Sequence, residues 1–172
     1  MLRLLNRIRR TGIVTEPLAT GADAETLETL GIEVRRQIDR RLGGSLAIRE
    51  VDAGSCNGCE LEIHALNNAY YDIERFGIHF VASPRHADAL LVTGPLSRHM
   101  EAALLRTYAA TPDPKLVIAC GDCACNGGEF GVSYASRGAV ENLIPVDIRI
   151  PGCPPSPLNL LKGLLAGLKG SG

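Results

Sequence analysis

Two short runs, "ADALLVTG" at residues 87–94 and "KLVIAC" at 115–120, carry apolar side chains at successive positions rather than at alternate ones. A strand that is apolar at every position is buried on both faces, and in water that happens almost only in a parallel sheet covered by helices on each side. The chain supplies such helices. A stripe of Thr26, Leu27, Leu30, Val34 and Ile38 predicts a helix capped by Asp23 and ending by Gly43-Gly44. "ELEIHALNNAYYD" (60–72) and "RHMEAALLRTYAAT" (98–111) predict two more. "SPLNLLKGLLAGLKG" closes the chain as a fourth, with Ser156 as cap and Pro157 at the first helical position. Three further runs read as strands: "SLAIREVD" (45–52), "GIHFVAS" (77–83) and "VDIRIPGC" (146–153). Leu46, Ile48, Glu50 and Asp52 share one face of the first of these. Strands alternating with helices give an α/β fold with a mainly parallel sheet.

Parallel sheets bind ligands outside the carboxyl ends of their strands. All six cysteines fall there. "AGSCNGC" follows the first strand, "CGDCACNGG" the fourth and "PGCPPSP" the fifth. The topology therefore predicts that Cys56 and Cys59, the group Cys120, Cys123 and Cys125, and Cys153 gather at one edge of the sheet. Cysteines confined to glycine- and proline-rich turns favour ligation, because inert cysteines behave as small core hydrophobes. A grouping of two, one and one fits a 4Fe–4S cluster better than a zinc knuckle, which is usually built from two close C-x-x-C pairs. Zinc, thiol–disulfide chemistry at Cys56 and Cys59, and inert thiols are the alternatives at this point. Residues 126–145, with Gly127, Gly128, Gly131 and Gly138, read as a long functional loop.

Composition narrows the partners. A net charge of -1 offers no global case for nucleic acid. Arg3, Arg7, Arg9 and Arg10 make the start basic, a pattern suited either to a membrane or partner surface or to a solvated helix end. Neither a signal h-region nor a run long enough to span a bilayer is expected, so the chain reads as soluble, cytosolic and docked on something membranous. The expected organisation is a leader over 1–22 and a single cluster-binding domain over 23–172.

"SLAIREVDAGSCNGCELEI", "VTGPLS", "GDCACNGG" and "PGCPPSP" together resemble the small subunit of membrane-bound, energy-converting nickel–iron hydrogenases of the formate hydrogenlyase type. They are also similar to the cluster-bearing 20 kDa component of NADH:quinone oxidoreductase. The resemblance implies a flavodoxin-like three-layer sandwich with the cluster at the C-terminal edge of the strands. It implies that Cys56, Cys59, Cys123 and Cys153 hold one 4Fe–4S cluster, with Gly121, Ala124, Gly127 and Gly128 completing the motif around Cys123. Cys120 and Cys125 lie outside that motif, Cys120 as a core thiol. The adjacent cysteines of the quinone-reducing relatives are replaced here by "CNGC", which is the hydrogenase spacing.

The implied function is electron transfer to or from a large nickel–iron subunit that evolves or oxidises hydrogen. A ferredoxin-like multi-cluster subunit and integral membrane subunits are the further partners, and the place is peripheral, on the cytoplasmic side of the inner membrane. The chain by itself is then not catalytic. The rivals are a nickel-free complex that reduces quinone or pumps ions, and a zinc-stabilised interaction module. Glu60, next to Cys59, is a candidate proton relay or a first-turn carboxylate favouring the helix dipole, and His64, one turn on, is placed to pair with it. "GPLS" (94–97) is expected at the cysteine edge, and Arg85, His86, Arg98 and His99 at the surface or an interface.

Overall fold

Five parallel strands form one sheet in the order β2-β1-β3-β4-β5, with β1 Leu46–Asp52, β2 Ile78–Phe80, β3 Ala89–Thr93, β4 Leu116–Cys120 and β5 Ile148–Ile150. This computed structural model describes residues 22–170, together with Asn6 and Arg9, which are both helical. The expected leader over 1–22 otherwise lies outside the described residues. The helices are α1 Ala22–Leu42, α2 Gly58–Ala65, α3 Glu101–Ala110, α4 Asp122–Asn126 and α5 Pro157–Gly170. None of the described helices is long and apolar enough to cross a membrane.

The sheet has a core on each face, as an all-apolar strand requires. Leu46 and Ile48 of β1, Leu91 of β3, Ile118 and Cys120 of β4 and Ile148 and Ile150 of β5 face α1, α2 and α5. Val51, Leu90, Val92, Val117 and Ala119 point the other way, against Leu104 of α3, Ala124 of α4 and Val140. Every residue of β3 is buried. These are the three layers expected, and the strand order is that of the flavodoxin-like arrangement. In α1, Leu27, Val34 and Ile38 are buried, whereas Thr26 is exposed.

Several boundaries differ from those expected. α1 starts at Ala22, so Asp23 lies in its first turn rather than ahead of it. α2 stops at Ala65 instead of running to Asp72. Asn68 Oδ1 accepts from the amides of Tyr70 (2.8 Å) and Tyr71 (3.0 Å), a local turn that competes with continued helix. The "GDCACN" turn contains the five-residue helix α4. The cap at α5 forms as expected: Ser156 Oγ accepts from Asn159 N at 3.4 Å, and Pro157 opens the helix.

Candidate metal centre

The order reverses between β1 and β3, because β2 lies on one side of β1 and β3 on the other. Crevices at such switch points are the usual ligand sites of these sheets. The first cysteine turn leaves β1 there. Asp52 Oδ1 accepts from both Gly54 N and Ser55 N at 2.7 Å, and Ser55 Oγ accepts from Asn57 N at 3.1 Å. Asn57 takes a left-handed conformation (φ 69°), which lets α2 start at Gly58 and carry Cys59 in its first turn. The "GPLS" segment packs directly on this turn, with Ser97 N donating to Ala53 O at 2.8 Å.

The second turn leaves β4. Gly121 N donates to Ile150 O at 2.8 Å, which ties it to the third turn. Gly121 lies against the first turn as well: a Cβ there would stand 2.6 Å from Cys59 Sγ. A Cβ on Gly128 would stand 2.7 Å from Cys123 Sγ, and one on Gly58 3.5 Å from Cys56 Sγ and 3.9 Å from Pro154. The sulfurs of Cys59 and Cys123, from two turns, thus sit in hollows that only glycine leaves open, and the third turn borders the same space. Cys56 and Cys153 are exposed, Cys59 and Cys123 half-buried. Among the described residues, no three Cys, His, Asp or Glu side chains close on one point as the shell of a single ion does.

The thiols act on one another. Burial raises the Cys123 pKa, and the neighbouring Cys153, Cys56 and Cys59 raise it further. A hydrogen bond with the Cys120 thiol lowers the Cys59 pKa, while Cys120, buried in the core beneath it, is pushed up. Cys125 Sγ donates to Ala119 O at 3.4 Å, and burial raises its pKa. A cationic iron would offset the field that Cys153, Cys56 and Cys59 set up at Cys123, because it coordinates thiolate. The glycine hollows at Cys59 and Cys123, and the gathering of Cys56, Cys59 and Cys153 within reach of Cys123, are the grounds on which the residues fit a cluster.

Glu60 is buried, and its partner is Thr93 at the end of β3, whose Oγ1 donates to Glu60 Oε1. His64 is exposed. Glu60 Oε2 is buried with no hydrogen-bond partner among the described residues. Glu50, half-buried on the same face of β1, has a raised pKa, first from burial and then from the Glu60 charge. Sequence reading missed both Thr93 and Glu50, although Glu50 could have been found from its place in the alternation with Leu46 and Ile48. Arg85, His86, Arg98 and His99 are exposed, and Arg98 Nη2 donates to Ser133 O at 3.4 Å.

The profile of a family described as NADH ubiquinone oxidoreductase, 20 Kd subunit, matches residues 56–167. The chain belongs to this family. The matched stretch opens on Cys56 and takes in all three cysteine turns. Among curated members, formate hydrogenlyase subunit 7 of Escherichia coli is 42% identical over 144 residues, covering 84% of this chain and 55% of that protein. The chain thus spans about half the length of that relative. A probable membrane-bound hydrogenase subunit of Pyrococcus furiosus, mbhJ, is 44% identical over 133 residues, covering 77% of this chain and 80% of its own. An NADH-quinone oxidoreductase subunit of Desulfovibrio desulfuricans is 47% identical over 107 residues, covering 62% and 58%.

Solved structures agree on the architecture of the family. A chain of the membrane-bound sulfane sulfur reductase, an archaeal respiratory membrane complex, superposes with TM-score 0.66 and 36% identity, covering 80% of this chain and 75% of that one. A chain of an NAD+-reducing [NiFe]-hydrogenase matches with TM-score 0.53 over 72% and 92%, and at 19% identity it speaks for the fold alone. The curated relatives of this 20 Kd family are thus subunits of oxidoreductase complexes.

Proposed function

We propose that this chain is the electron-transfer small subunit of a membrane-associated nickel–iron hydrogenase complex. It carries one 4Fe–4S cluster on Cys56, Cys59, Cys123 and Cys153. The observation that carries this reading is the meeting of the three cysteine turns at one sheet edge, with glycine hollows against the sulfurs of Cys59 and Cys123. The cluster supplies a reversible one-electron site whose potential depends on its net charge, on hydrogen bonds to its sulfurs and on exposure. The chain supplies the rest. Gly121 and Gly128 admit the ligand sulfurs, Asp52 fixes the first turn, and the Cys120 thiol reaches the Cys59 sulfur.

Two ligand thiols are exposed, so the cluster needs a cover from another subunit. The rim supports one. Leu61 follows the Cys59–Glu60 pair at 63% exposure, and Phe130, Val132 and Tyr134 stand 61, 75 and 94% exposed on the loop that follows α4. Exposed apolar groups of this size on one edge mark an interaction surface. In this reading the large nickel–iron subunit covers them, and a ferredoxin-like subunit and integral membrane subunits complete a complex on the cytoplasmic side of the inner membrane. Glu60, buried between Cys59 and Thr93, is the residue placed to relay a proton.

The second reading keeps the cluster and changes the complex to a nickel-free one that reduces quinone or pumps ions. The 47% identity to a quinone oxidoreductase subunit and the 36% identity to a sulfane sulfur reductase chain favour it. The "CNGC" spacing favours the hydrogenase. One experiment separates them. The complex is captured anaerobically through a tag on this chain, metals are counted, and hydrogen evolution from a reduced viologen dye is measured. Iron at four or more per copy of this chain, with nickel and hydrogen evolution, supports the first reading, and iron without nickel the second. Zinc without iron would falsify both.

A further inference from the structure

The residue before Cys123 is a carboxylate with an unusual partner. Asp122 is the first residue of the five-residue helix α4, whose N-cap position is held by Gly121. Its Oδ1 accepts from Gly152 N at 2.8 Å, thirty residues away in sequence and next to Cys153. The backbone answers in the other direction, with Asp122 N donating to Gly152 O at 2.8 Å. Gly121 N donates to Ile150 O at 2.8 Å, so the second and third cysteine turns are joined by three hydrogen bonds in a row. Asp122 makes the last two, at the point where both turns leave the sheet.

Gly152 is held at φ 137°, and a Cβ there would stand 2.7 Å from Pro155 Cα. The third turn is therefore tightly folded, and Asp122 takes its Gly152 amide. The Asp122 carboxylate adjoins Cys123 in the chain and sits on the amide that adjoins Cys153, so it lies beside two of the turns that would hold the cluster.

We propose that Asp122 is a positioning residue with two separable effects. It clasps the Cys123 turn to the Cys153 turn and so fixes the spacing of two ligands. It also holds a fixed negative charge beside the cluster that keeps its potential low. The inference rests on the four-cysteine cluster reading above. The two effects divide between two variants. Asp122→Asn keeps an oxygen acceptor for Gly152 N and removes the charge. Asp122→Ala removes both.

The test uses the complex captured through this chain, in wild-type and variant forms. Asp122→Asn should keep wild-type iron, and its midpoint potential should move positive, because a cluster with less negative charge around it is easier to reduce. Asp122→Ala should lose iron to a chelator about tenfold faster or more, the usual scale for removing a group that orients a metal ligand. The amide of Gly152 gives a readout that needs no metal. Hydrogen exchange there should speed up in Asp122→Ala and stay slow in Asp122→Asn. An Asp122→Asn potential equal to wild type overturns the charge effect. Wild-type iron retention and slow Gly152 exchange in Asp122→Ala overturn the clasp. A wild-type chain without iron but with the exchange pattern intact overturns the cluster reading and the charge effect while the clasp stands.

Discussion

Gly121→Ala is the sharpest perturbation of the proposed centre, because its two costs can be worked out separately. Gly121 sits at φ 86° and ψ 159°, a region essentially reserved for glycine. Forcing a side chain there costs on the order of 1–3 kcal/mol. For a chain of this size that lowers Tm by roughly 2–12 °C, which a domain of ordinary stability survives. The second cost falls on the sulfur. The new Cβ would stand 2.6 Å from Cys59 Sγ. Non-bonded heavy atoms settle at about 3.5–4.0 Å, so the sulfur or the turn must move by about 1 Å. Metal–ligand distances tolerate shifts of about 0.2 Å, so the displacement is several times what a ligand can absorb. The variant should fold and lose the cluster, in whole or down to a three-iron remnant. Gly43→Ala is the control: its φ is 72°, and no heavy atom lies within 4 Å of its Cβ position. It carries the backbone cost without a sulfur neighbour and should melt lower while keeping its iron. The assay is anaerobic purification, iron per chain, the paramagnetic signal of the reduced cluster and a thermal melt of each variant. Gly121→Ala with wild-type iron and signal would refute the assignment of Cys59 Sγ to the cluster. Loss of iron in both variants would reduce the effect to general destabilisation.

Three further outcomes follow from the same geometry. Cys120→Ala should keep four irons and shift the midpoint potential negative, because the Cys59 sulfur loses a hydrogen bond, while Cys120→Ser restores the donor and part of the shift; loss of the cluster in Cys120→Ala would make Cys120 a ligand. Glu60→Gln should leave the cluster signal unchanged and slow proton-coupled turnover of the complex with a larger solvent isotope effect, and unchanged turnover would confine Glu60 to its contact with Thr93. The Glu50 carboxyl is raised by burial and then by Glu60, with His64 and Arg49 opposing and Asp52 adding to it. The folded chain therefore holds this proton to higher pH than the unfolded chain does, so stability falls as pH rises from the ordinary carboxylate range through the raised value. Glu50→Gln should accordingly melt higher than wild type at pH 7 and lose that advantage near pH 4; an equal difference at both pH values would rule the linkage out.

What the sequence disclosed divides along a physical line. Burial on both faces leaves its mark residue by residue, so β3 and β4 were legible from "ALLVT" and "LVIAC" alone, and the parallel sheet followed from them. The ends of parallel strands lie on one edge whatever their order, so the convergence of three cysteine turns was legible too. Contacts that depend on register were not. Thr93 meets Glu60, and Asp122 meets Gly152, across 33 and 30 residues. Nothing in either local sequence marks the partner. The overrun of α2 has a local cause, since Asn67 and Asn68 are signals of a turn that the helical stripe outweighed in reading. Cys120 and Cys123 differ by the element that carries them. Cys120 is the last strand residue, its side chain turned into the α1, α2 and α5 core with Ile118, whereas Cys123 rides on the short helix beyond the strand.

Strand spacing explains why "GPLS" begins with glycine. The first and second cysteine turns leave β1 and β4, which are not neighbours; β3 lies between them. Adjacent strands are about 4.8 Å apart, so the two turns start about 10 Å from each other and must lean together over the end of β3. Whatever follows Thr93 stands in the way. A Cβ on Gly94 would lie 2.5 Å from Ser55 N and 2.6 Å from Ser55 Cα, and one on Gly54 would lie 2.9 Å from Ser97 Cβ. Each glycine removes the side chain that would hold the first turn off β3. Gly94 sits at φ 73° and Gly54 at φ 124°, so the backbone conformation excludes other residues as firmly as the space does. β3 contributes no cysteine, yet it sets how closely the other turns approach. A side chain at Gly94 is then a lesion of ligand spacing, reaching Cys56 and Cys59 through Ser55 without touching either sulfur.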